Sequence, residues 1–205
     1  MDCSLSTMNW TAGGNTMRPD ELGDGQVMTM TLEAFADTIV PGEKRWPGDR
    51  AVAGAAEGGG AVAAGALQLL EMPEGGLDQA LDDLARMLND HAEKYRAGHG
   101  LPQDESVPPL VALDFANRTA LVQELTAPDH PEKGQWVGLA MFCNMAFDTG
   151  AHSHTTDAIK SGHVGLTMMG FAQPDDDGLW RFPDYSYRRP LARLHPGTTA
   201  NGSLA

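Results

Sequence analysis

The segment from Gln135 to Phe147, QWVGLAMFCNMAF, constrains this chain more than any other. Wound as a helix it is apolar on nearly every side, and such a helix has to be enclosed by other elements of the fold or by a partner. It falls short of the roughly 20 apolar residues needed to cross a bilayer, and no other stretch approaches that length. The surrounding sequence therefore has to supply amphipathic helices to cover it.

It does so in several places. The clearest runs from Leu77 to Tyr95, where Leu77, Leu81, Leu84, Leu88, Ala92 and Tyr95 recur at spacings of three and four while Asp82, Asp83, Arg86, Asp90 and Glu93 fall elsewhere. Asp114 precedes FANRTALVQEL, a predicted helix that buries Phe115, Thr119, Val122 and Leu125 before APDHPEKG breaks it. Thr31 is the expected cap of a short helix with Leu32, Phe35, Ala36 and Ile39 on one face, ended by Pro41 and Gly42. The Ala-rich run from Gly60 to Leu70 predicts a further helix whose small residues allow close approach to a neighbour, stopped by Pro73 and Gly75-Gly76. The fold class read from these patterns is all-α, an irregular helical bundle of about five to six helices.

The last third differs. Between His152 and Gly197 only Thr155 to Lys160 has helical character, and turn residues interleave with aromatics and arginines. A segment without a core of its own lies along the body or along a partner, so a long non-helical C-terminal segment wrapping the bundle is expected. Within it Trp180, Phe182, Tyr185 and Tyr187 stand beside Arg188 and Arg189, the composition of interface anchors. Residues 1–28, polar and without an apolar period, read as a flexible N-terminal extension; 29–195 form a single helical domain, and 196–205 a flexible tail.

Charge excludes whole classes of function. Against 14 basic residues stand 28 acidic ones, a formal charge of -14, which disfavours nucleic acid and anionic lipid surfaces. The opening residues show neither a basic, then apolar leader nor a paired-arginine signal, so a cytoplasmic protein is expected, without membrane insertion. Cys3 and Cys143 suggest no disulfide framework, and Cys143, inside an apolar helix, reads as a small core residue with a neutral thiol. The glycine-rich EGGGAVAAGAL fits neither dinucleotide nor mononucleotide loop spacing.

Asp148, His152, His154 and His163 form the most suggestive chemical cluster, since imidazoles and carboxylates serve both as metal ligands and in acid-base catalysis. Their spacing matches no recognised ligand pattern, and no metal site is assigned. With Tyr185 they support an alternative reading, a stand-alone helical enzyme that uses the His152/His154/His163 loop for acid-base or metal-assisted chemistry. A third reading has Met141, Met145, Met168 and Met169 lining an adaptable apolar pocket.

FADTIVPGE, the Ala/Gly helix after it, FANRTALVQEL, WVGLAMFCNMAFDT and GLTMMGF occur in this order from about residue 29 to 190. In that order they resemble the gluconate 2-dehydrogenase subunit 3 family, in particular a short actinobacterial-type branch of uncharacterised function. The resemblance implies an all-helical small subunit with no cofactor of its own. Its partner would be an FAD-dependent large subunit of the glucose-methanol-choline (GMC) oxidoreductase class, which it stabilises or matures. FAD is expected in that partner, and no catalytic residue carries over to this chain. Many such small subunits bear a twin-arginine export signal; this sequence shows none, which fits an intracellular role.

Overall fold

The computed structural model describes residues 23–171 and residue 197, and every regular element among them is helical. The order is α1 (Asp24–Ile39), α2 (Ala66–Leu70), α3 (Leu81–Gly98), α4 (Pro109–Ala112), α5 (Phe115–Leu125), α6 (Lys133–Asp148), α7 (Thr155–Lys160) and α8 (Val164–Met168), with single 3-10 turns at Pro73–Gly75 and Asp78–Ala80. The all-α class is as expected. The eight α-helices exceed the five to six expected because α4 and α8, of four and five residues, are too short to show an apolar repeat. Trp180, Phe182, Tyr185, Tyr187, Arg188 and Arg189, with residues 172–196 of the segment expected to wrap the body, lie outside the described residues; its first part, 152–171, carries α8 besides the expected α7 and is more helical than the sequence implied. No helix among those described is long and apolar enough to cross a membrane.

α3 follows its sequence pattern closely, with Leu81, Leu84, Leu88, Ala92 and Tyr95 buried and the acidic residues Asp82, Asp83 and Asp90 exposed. It packs on α1, α4 and α5, while α6 packs on α1, α2, α5 and α8. α1 starts at Asp24, inside the stretch read as an extension, and Thr31 is not its cap. Thr31 sits buried in mid-helix, where its hydroxyl donates to the Val27 carbonyl at 2.8 Å and accepts from Asn89 Nδ2 of α3 at 2.9 Å. A polar residue there satisfies itself locally and across the helix pair, so it need not end the helix.

The Ala-rich run departs further. Only Ala66–Leu70 is α-helical, because Gly65 takes a left-handed φ of 89° and Ala61 to Gly65 form turns. The close approach expected of its small residues does occur. A Cβ on Gly60 would collide with the Val40 carbonyl, and one on Gly42 with the Gly60 amide, so two backbones meet where only glycine fits. In α5, Asp114 caps the helix by accepting from the Asn117 amide at 2.8 Å, while Arg118, Leu121, Val122 and Leu125 are buried and Phe115 and Thr119 only partly so.

Arg118 is the least expected core residue, only 3% exposed. Its guanidinium donates to the carbonyls of Leu113 (2.9 Å), Ala51 (2.6 Å), Arg50 (3.0 Å) and Val111 (2.7 Å). Asp37, from the FADTIVPGE motif, is also buried and accepts the amides of Ala53 (2.8 Å) and Gly42 (3.2 Å). Burial raises its pKa, with those amides and the nearby Arg118 charge opposing the rise. Asp49, buried as well, is desolvated too, but Arg45 (2.7 Å) and the Val52 amide outweigh that and hold it below the usual carboxylate range. Arg45 forks onward to Glu33 of α1. These charges satisfy the backbone of the loop from Gly42 to Ala53, which has no secondary structure to do so, and seal it onto α1 and α5.

Candidate functional site

α6 directs Trp136, Leu139, Cys143 and Ala146 into the core at spacings of three and four. Burial pushes the Cys143 thiol up to about 12, so it stays neutral and unreactive. The apolar residues on the other side remain uncovered by described elements: Met141 is 58% exposed and Met145 37%. They border a shallow hollow of about 480 Å³ formed with Ile39 of α1, Val137 and Ala140. α8 butts against the end of this helix, with Gly165 so close to the Phe147 carbonyl that a Cβ would clash. Beyond it Met168, Met169 and Phe171 are 61%, 44% and 44% exposed. Among the described residues Met141, Met145, Met168 and Met169 therefore lie on the surface and line no enclosed pocket. The helix expected to be enclosed by other elements or by a partner is covered by the described elements on its Trp136, Leu139, Cys143 and Ala146 face and not on its Met141 and Met145 face.

Asp148 ends α6 and rests one oxygen on Asn144 Nδ2 at 2.7 Å. His152 packs against the Gly65 backbone, with its ring 5.7 Å from that of His163. Burial, then the charge of His163, lowers its pKa. His163 is committed to backbone: Nε2 pairs with the Ala64 carbonyl at 3.0 Å and Nδ1 accepts the Leu166 amide at 3.3 Å, capping α8. His154 is exposed at the start of α7. His152 and His163 are thus brought together, His154 points into solvent, and Asp148 borders the methionine hollow. Two buried atoms in this region, Asp148 Oδ1 and His152 Nδ1, have no hydrogen-bond partner among the described residues.

A second group of ionisable side chains meets at the opposite end of α6. His91 of α3 places Nε2 2.8 Å from Glu132 Oε2, and Trp136 Nε1 donates to the same oxygen at 3.2 Å. The His91 hydrogen bond, reinforced by Trp136, outweighs burial and lowers the pKa of Glu132. His130 accepts the Glu132 amide on Nδ1 at 3.2 Å and meets the His91 ring edge-on at 5.7 Å. One donor atom from each of His91, His130 and Glu132 lies within 4.8 Å of the others. His91 and His130 wall a groove of about 320 Å³, shared with Lys94, Tyr95, His99 and Glu124. This convergence went unseen in the sequence, where the only local signal is His-Pro-Glu at 130–132.

A family model described as a family of unknown function, DUF5987, matches residues 26–205, and the chain belongs to that family. No curated protein and no solved structure matches it.

Proposed function

We propose that this member of the family is an accessory subunit, free of a redox cofactor, that docks, through the face of α6 left uncovered by the described elements, onto a large FAD-dependent oxidoreductase of the GMC class and stabilises or matures it. The observation that carries the docking is the exposure of Met141 and Met145 beside the hollow they form with Ile39, Val137 and Ala140. Large apolar side chains clustered in water mark contact surfaces, and methionine suits them because its unbranched thioether adapts to the partner. The opposite side of the same helix is fixed by four buried residues, so the face is presented rigidly. The class of partner comes from the ordered resemblance to the gluconate 2-dehydrogenase small subunits.

The test is capture of the tagged chain from its native host, with partners identified by mass spectrometry and the eluate read for flavin absorbance. A stoichiometric flavoprotein of the GMC class, lost on Met141→Asp while the variant keeps its helical circular dichroism, is the expected result. A colourless wild-type eluate, or capture indifferent to Met141→Asp, would overturn the reading. The alternative, acid-base or metal-assisted chemistry at the His152/His154/His163 loop, has in its favour that His152 Nδ1 and Asp148 Oδ1 find no partner among the described residues. A turnover abolished by His152→Gln in the isolated chain would establish it.

A further inference from the structure

We propose that His91, His130 and Glu132 form a binding site for one divalent transition-metal ion of the zinc type. Two imidazoles and a carboxylate are a donor set that borderline divalent ions favour, at bond lengths of about 2.0–2.2 Å. Tetrahedral bonds of that length set donor atoms about 3.4 Å apart. The three donors already lie within 4.8 Å of one another, and the His91–Glu132 pair stands at 2.8 Å. Occupation requires that pair to part by roughly half an ångström while the third donor closes in, a side-chain adjustment that leaves the helices in place.

The supporting structure is built for holding a ligand set. Trp136 Nε1 fixes the liganding oxygen of Glu132, as the outer hydrogen bonds of metal carboxylates do. The chain from Ala127 to Gln135 is tied down by successive short-range backbone bonds, His130 to Ala127 at 3.1 Å, Lys133 to His130 at 3.1 Å and Gln135 to Glu132 at 3.0 Å, with Pro128 and Pro131 limiting its freedom. His91 comes from the middle of α3, so both halves of the site are preorganised and little ordering entropy opposes binding. The side chains of His91 and Glu132 are 22% and 35% exposed, enough for an ion to enter and too little for free rotation. Three protein ligands leave a coordination position for water or a small anion, and His91 and His130 both wall the adjoining groove. The site is independent of the docking reading, because none of its ligands belongs to the methionine face.

The test uses the full chain, free of any histidine tag and stripped with a chelator. Zn²⁺ is titrated calorimetrically, and Co²⁺ is added as a visible-absorbing probe of coordination. Wild-type protein is expected to bind one ion per chain, with affinity falling at least tenfold in both His130→Ala and Glu132→Gln, each checked for unchanged helical circular dichroism. His130→Ala trims a partly exposed loop side chain, and Glu132→Gln preserves shape and hydrogen bonding, so neither depends on a disrupted fold. Absence of saturable one-to-one binding in wild-type protein overturns the proposal, as does binding within threefold of wild type in either variant.

Discussion

Replacing Arg118 by alanine tests the account of how the irregular loops are held. The side chain is 3% exposed, and its guanidinium serves four backbone carbonyls at 2.6–3.0 Å. Hydrogen bonds from a charged donor contribute about 1.5–3 kcal/mol each, but four on one group are not additive, because the carbonyls partly rehydrate once it is gone. Removing one side of a buried charge arrangement costs about 3–5 kcal/mol, and about 4 kcal/mol is expected here, with Asp37 left desolvated and short of its positive neighbour. Against the 5–15 kcal/mol typical of a whole domain, that is a large fraction. With a urea slope of about 2 kcal/mol per molar, the unfolding midpoint falls by about 2 M. Lysine keeps the charge but offers three donors without the planar fork, so Arg118→Lys should recover about half of the loss. A loss below about 1 kcal/mol for Arg118→Ala, or a lysine variant equal to wild type, would refute the reasoning.

Other predictions concern single groups. With its pKa pushed up to about 12, Cys143 in a Cys3→Ser background should not react with a disulfide reagent at mildly alkaline pH until the protein is unfolded; rapid native labelling would contradict its burial. His152 has a folded pKa below its unfolded 6.5, so the unfolded chain binds more protons between the two values. Its contribution to stability is therefore complete above about 6.5 and is lost as pH falls through the folded value. The wild-type urea midpoint should drop over that window by more than that of His152→Gln, and equal slopes would remove the effect. Glu132 and Met141 stand about 13 Å apart along α6 at 1.5 Å per residue, so Glu132→Gln should leave flavoprotein capture intact and Met141→Asp should leave ion binding intact. Loss of both properties in either variant would indicate general disruption.

What the sequence made legible was whatever depends on local periodicity. The α3 leucines, the Asp114 cap and the extent of α7 all emerge from residues within one or two turns of each other. α8 and the interruption at Gly65 did not, because a five-residue helix has no repeat and the left-handed glycine lies inside an alanine run that otherwise favours helix. Which side of α6 the described elements leave open was also beyond reach. Its apolar pattern says that both sides avoid water, while which side the chain itself covers depends on how α1, α2 and α5 cross it. Arg118 illustrates the same limit: nothing in FANRTALVQEL distinguishes a solvated arginine from one that serves carbonyls at positions 50 and 51.

The two histidine groups show why sequence proximity misleads about sites. His152, His154 and His163 attract notice because they are close in the chain, yet closeness is what lets the local backbone engage an imidazole. His163 accepts the amide three residues ahead, whereas His154 starts a helix without a side-chain cap bond. His91 and Glu132 are 41 positions apart and have no common motif. Their meeting needs the α5–α6 loop, which carries Glu132, to lie against α3, with Trp136 buried at the start of α6 and its ring 5.7 Å from that of His91. The residue that anchors the helix by burial therefore also orients the carboxylate above it through its indole N–H. Such a pair of roles on one tryptophan is invisible to spacing, since sequence marks the residue as core and only the fold places its polar edge.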